Sequence, residues 1–284
     1  MRSLPPVSPP TAVGSAIPGL RLRLGVLLSL LLLLAGFVSV VWTPLPLDQL
    51  DLAASMQGPS AAHLLGVDTF GRDVLSLAMK AMLTSFVVTT VGLALGLFVG
   101  VPLGAVASLA GPWADRAMEG VAGVLLALSA LGIAAVLFVH LGPSALNAML
   151  AIGLFNIAVV IRATRRLLGD QRGRDDIAAA HLAGLRGWEL VRRHMLAELL
   201  PDFGRLAALL LAGGVLLEAA LSFVGLAAPP GGASLGLMLR EARPVMMAQP
   251  LLILVPAAAL TLIALGLHLI AAGLDRRQGV KHAA

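Results

Sequence analysis

Ala81-Met-Leu-Thr-Ser-Phe-Val-Val-Thr-Thr-Val-Gly-Leu-Ala-Leu-Gly-Leu-Phe-Val-Gly-Val-Pro-Leu-Gly-Ala-Val-Ala-Ser-Leu-Ala110 carries no ionisable side chain from end to end. Crossing the bilayer core takes roughly 20 predominantly apolar residues as a helix. Within lipid the backbone must satisfy its own polar groups, which leaves helices and closed barrels. The run lacks the alternation of a barrel strand, so it reads as a membrane-spanning helix. Gly92, Gly96, Gly100 and Gly104 recur in it at every fourth position, a small-residue ridge for helix packing. Pro102 is expected to kink it.

Working outward, similar charge-free runs occupy residues 24–42, 120–161 and 244–274. Only 12% of the chain is charged, against about 25% in soluble domains, and the mean hydropathy is +0.95. The expected fold class is an all-α polytopic membrane protein with six transmembrane helices, over residues 24–42, 81–110, 117–140, 144–161, 206–226 and 250–274. Residues 1–20 read as a disordered tail, 21–62 as the first helix with an outer segment, 63–277 as the main transmembrane domain, and 278–284 as a second tail. A cleaved signal peptide competes for residues 24–42, but the run is long for one and no small-x-small site closes it. With the N-terminus inside, Arg72, Lys80, Arg240 and Arg243 are the only basic residues outside, and the rest of the 20 lie inside. That asymmetry is the one the positive-inside rule requires, so both termini are expected in the cytoplasm.

Between residues 162 and 205 lies a polar island holding nine arginines and six acids. Asp175 and Asp176 begin a short helix ending at Gly184, with acidic residues where the helix dipole favours them. A second helix over 187–200 lines up Trp188, Val191, Met195 and Leu199 as an apolar stripe, opposite Arg192 and Arg193. Such a helix lies on lipid or docks in a protein groove.

Few patterns in the chain carry chemistry of their own. Neither Lys80 nor Lys281 stands between Gly and Ser/Thr as a phosphate loop requires, so any ATP belongs to another chain. Gly232-Ala-Ser-Leu-Gly236 matches a nucleophile-elbow spacing with no strand before it. The six histidines lack metal-site spacing, and Cys is 0. The net charge of +5 sits beside the apolar runs, which argues against nucleic acid. Glu218 is the clearest charge inside a span, costing roughly 2.5–3.5 kcal/mol on insertion scales. It either lines a path or gate, with Ser222 and Phe223 beside it, or makes an interhelical hydrogen bond. Asn147, Asn156 and His268 are expected to bond between helices.

Ala179-Ala180, Gly184, His194 and Leu196 resemble the E-A-A-x3-G-x9-(I/H)-x-L-P loop of ABC importer permeases, with Ala178 and Ala197 at the motif's Glu and Pro. His63-Leu-Leu-Gly-Val-Asp-Thr-Phe-Gly-Arg-Asp-Val-Leu-Ser76 is similar to the H-x-L-G-T-D-x-x-G-R-D-V-L-S signature of dipeptide, oligopeptide and nickel permeases of the second-subunit type. Glu218-Ala-Ala-Leu-Ser-Phe-Val-Gly-Leu226 is similar to their E-x-x-L-S-F-L-G-L segment. The resemblance implies a type I ABC importer permease fold in the bacterial inner membrane. It also implies a homologous second permease, two cytoplasmic ATPases holding ATP and Mg, and an external solute-binding protein delivering short peptides, with nickel or a metal chelate as the alternative. It assigns coupling to the ATPase to Asp175, Asp176, Ala179, Ala180, Gly184, Trp188 and His194.

Overall fold

The computed structural model describes residues 18–46, 51–172, 196–228 and 231–275. The coupling residues Asp175, Asp176, Ala179, Ala180, Gly184, Trp188 and His194 lie outside the described residues. Among those described there are eight α-helices and no strand: α1 (Pro18–Val41), α2 (Val74–Leu109), α3 (Pro112–Ala127), α4 (Ser129–Leu141), α5 (Ala145–Arg172), α6 (Leu196–Val224), α7 (Leu235–Ala242) and α8 (Leu251–Gly273). By length and apolar content α1, α2, α5, α6 and α8 each suffice to cross a membrane, and α3 with α4 makes a sixth crossing if the bent pair is one span.

The pair α3 and α4 corrects the expectation of one straight helix over 117–140. It bends by 75° between Ala127 and Ser129, where Ser129 takes a left-handed φ of 50°, a conformation costing a non-glycine residue about 1–2 kcal/mol. Ser129 Oγ accepts the Gly132 amide at 3.3 Å, satisfying one of the donors a fresh helix start leaves free. Neither Pro nor Gly marks the break in sequence. A second correction is α7, which folds inside the segment expected to be a plain loop over 227–249.

The described helix ends follow from local chemistry. Asp73 caps α2, its Oδ2 accepting the Ser76 amide at 2.9 Å, so the helix starts before residue 81. α2 then runs unbroken through Pro102. α5 continues past residue 161 because its arginines find acids on α3: Arg162 meets Glu119 at 2.7 Å, and Arg165 meets Asp115 at 2.6 Å and Glu119 as well.

The main seam joins α2 to α5. A Cβ on Gly92 would meet the Ile152 side chain, and one on Gly96, Gly100 or Gly104 would meet Asn156, Val160 or Thr164 in turn. Each step of four along α2 is matched by a step of four along α5, so the two backbones approach as far as glycine permits. α1 lies along α8 in a comparable way, with a Cβ on Gly25 falling 2.7 Å from the Gly266 carbonyl oxygen. The segments 51–73 and 231–250 lie at one end of the bundle, where Gln249 Nε2 donates to the Met56 carbonyl at 3.0 Å.

Candidate functional site

At that end stand two polar knots. The first is centred on Glu218, which is 1% exposed. Its Oε2 accepts the Ser85 hydroxyl at 2.7 Å, and its Oε1 accepts those of Ser222 at 2.7 Å and Ser234 at 2.9 Å. All three serines are buried. Ser222 is one helical turn along α6, Ser85 belongs to α2, and Ser234 stands just before α7, so one carboxylate ties three elements together. A hydrogen bond contributes roughly 0.5–1.5 kcal/mol net, so three of them are comparable to the roughly 2.5–3.5 kcal/mol insertion cost of one acid. A Cβ on Gly236 would overlap the Ala219 carbonyl, so glycine is what lets α7 settle onto α6 with Ser234 in reach.

A cavity of ≈ 130 Å³ opens beside this knot, lined by Glu218, Thr84, Val88, Ala145, Ala148, Ala227, Ala228, Gly232 and Ala233. Most of its wall is alanine or glycine, so the space exists because the side chains are short. Thr89, one turn beyond Ser85, donates its hydroxyl to the Ser85 carbonyl.

The second knot is built from the His63–Ser76 signature. Asp68 Oδ1 accepts the amides of Phe70 and Arg72, both at 2.8 Å, an Asx-type turn. Gly71 closes it with φ 82°, and a Cβ there would overlap the backbone of Asp51. Arg72, 4% exposed, donates from Nε to Asp68 Oδ2 and from Nη2 to Glu241 Oε2, each at 2.6 Å. Its guanidinium also sits 4.9 Å from the Phe70 ring centroid. Asp73 accepts the Ser76 hydroxyl at 2.8 Å and lies 3.1 Å from His63 Nδ1. Glu241 lies on α7, outside the spans. Burial pushes its carboxyl above the ordinary glutamate range, and the attraction of Arg72 offsets only part of that.

Glu218 and Ser222 are thus brought together, while Phe223 on the same helix is 37% exposed and takes no part in the knot. Asn147 Nδ2 bridges to the carbonyls of Ala134 and Leu226 at 3.2 and 2.8 Å. Asn156 Nδ2 is buried with no partner among the described residues. Among the described residues His268 meets only the Ala264 carbonyl of its own helix, at 3.2 Å, in place of the expected interhelical bond. Sequence reasoning missed Ser85, Ser234 and Glu241. The only sign of Ser234 was the Gly-x-Ser-x-Gly spacing, and the serine it marks serves as a hydrogen-bond donor to Glu218.

Residues 100–280 match the family described as binding-protein-dependent transport system inner membrane component. The chain is 32% identical over 260 residues to a probable D,D-dipeptide transport system permease of Escherichia coli K12, covering 90% of this chain and 87% of the relative. It is 31% identical to a dipeptide transport system permease of Alkalihalophilus pseudofirmus, with 77% and 72% covered. It is 29% identical to the nickel transport system permease of E. coli K12, with 87% and 90% covered. The apolar helices among the described residues make it a multi-pass membrane protein, and the chain belongs to the family of binding-protein-dependent transport system inner membrane components, as an ABC importer permease of the peptide, glutathione and nickel class.

Proposed function

We propose that this chain is the second-type permease subunit of an ATP-driven importer and forms half of a path for short peptides. It pairs with a homologous permease, receives substrate from an external solute-binding protein, and takes its motion from two cytoplasmic ATPases that hold the ATP and Mg. The observation that carries the peptide reading is the 32% identity across 90% of the chain with the probable D,D-dipeptide permease. The end bearing Asp73 and α7 faces outward on this reading, and both termini face the cytoplasm, as the distribution of basic residues favours. Glu218, Ser222 and Phe223 are the path or gate candidates. Asp175, Asp176, Ala179, Ala180 and Gly184 receive the ATPase, braced by Trp188 and His194.

The test is complementation of a strain lacking the chain, with its partner subunits intact, followed by uptake of a labelled dipeptide. Restored dipeptide uptake is expected, and Gly184→Asp is expected to abolish it while membrane insertion persists. A nickel permease is the second reading, favoured by the 29% identity over 87% of the chain. Restoration of nickel uptake with no gain in dipeptide uptake would replace the first reading by the second.

A further inference from the structure

We propose that the cavity beside Glu218 is a binding site for a primary ammonium group, and that its occupant during transport is the protonated amino terminus of the peptide. The choice of occupant rests on the importer reading above; the charge and size of the site do not. The three donors on Glu218 are serine hydroxyls, which fill lone pairs and bring no positive charge. A carboxylate has about four acceptor positions, so one on Oε2 stays open. Among the described residues no Lys, Arg or His pairs with it. An acid inside a span normally has a partner, and the cavity that Glu218 lines is where a cation can reach it. The ≈ 130 Å³ volume is close to the roughly 150 Å³ of a cavity that takes a benzene-sized guest. It therefore has room for an ammonium and the first carbons attached to it. Thr84 adds a hydroxyl to the wall, and Ala145, Ala148 and Gly232 leave space for the substituent.

The absence of cysteine from the chain allows a direct charge measurement. Ala233→Cys places one thiol on the cavity wall, in the chain assembled with its partner subunits. Aminoethyl and sulfonatoethyl methanethiosulfonate, cationic and anionic, are compared after correction for their rates with a free thiol. The cationic reagent is expected to react at least ten times faster. Glu218→Gln should bring the ratio to within about two-fold of unity, and Glu218→Asp, which keeps the charge, should preserve the preference. Equal rates in the Glu218 protein, a preference that survives in Glu218→Gln, or no labelling by either reagent overturns the site. A free-amine dipeptide should slow labelling while its N-acetylated form does not. Protection by methylammonium but by neither peptide keeps the ammonium site and removes the peptide from it. None of these readouts depends on uptake, so the failure of the importer reading remains distinguishable.

Discussion

The two ends of the bundle hold their charges differently. At the Asp73 end, Arg72 is buried between Asp68 and Glu241 and stacked near Phe70, inside a turn that only Gly71 can close. At the Arg172 end, Arg162 and Arg165 reach Glu119 and Asp115, whose side chains are 45% and 43% exposed. The first arrangement fixes geometry, because a buried charge deprived of its partner is costly. The second is held in high dielectric, where each pair contributes little. One end is a rigid cap over α2, α6 and α7, and the other is a surface whose contacts exchange cheaply.

The sharpest way to break this contrast is Arg72→Ala. It leaves the buried Asp68 and half-buried Glu241 without the guanidinium that joins them and should destabilise the purified complex by roughly 3–5 kcal/mol, read as a fall in Tm. Gly71→Ala comes next, at about 1–3 kcal/mol for left-handed strain with added displacement of Asp51. A variant as stable as the parent in either case would show that the cap is not rigid. Glu241→Gln probes the same cap by pH. A carboxyl raised by burial contributes stability that is complete below its unfolded value and is lost as the pH rises through its folded one. Acidification from neutrality toward about 4.5 should therefore favour the parent over Glu241→Gln, and the variant's Tm should change less with pH. At the opposite end Arg165→Ala should cost no more than about 1 kcal/mol, and that cost should shrink further in high salt. An effect as large as that of Arg72→Ala would erase the distinction between the ends.

Much of the scaffold was legible because lipid imposes a simple rule on composition. The charge-free runs located α1, α2, α5 and α8, α6 was placed despite Glu218 within it, and the four-residue spacing of Gly92, Gly96, Gly100 and Gly104 pointed to a packing seam before its partner was known. What the residues could not announce were choices made by tertiary context. Ser129 turns the chain by adopting a backbone angle that serine rarely takes, and it is stabilised by a hydroxyl bond seen only once the turn exists. The start of α2 depended on recognising Asp73 as a cap, whereas the apolar run alone put it several residues later. α7 was hidden because Pro229, Pro230, Gly231 and Gly232 make the whole neighbourhood read as loop. Yet Leu235 and Leu237 on that helix are fully buried.

The candidate site was half visible for the same reason. Glu218 stood out by its cost in an apolar run, and Ser222 could be paired with it by helical spacing alone. Ser85 is 133 residues away in sequence, and no local pattern connects the two. Ser234 stood out only through a nucleophile-elbow spacing with no strand before it, which gave no sign of its bond to Glu218. Gly236 serves instead to let two backbones meet.

The matched glycine steps between α2 and α5 have a mechanical consequence. Any sliding of one helix along the other that is shorter than a full four-residue step, about 6 Å at 1.5 Å per residue, brings a side chain against a backbone that has no room for it. The two helices therefore travel as one rod. At 36 residues α2 is about 54 Å long, so when the rod tilts, the sign of the displacement at Asp73 depends on where along it the pivot lies.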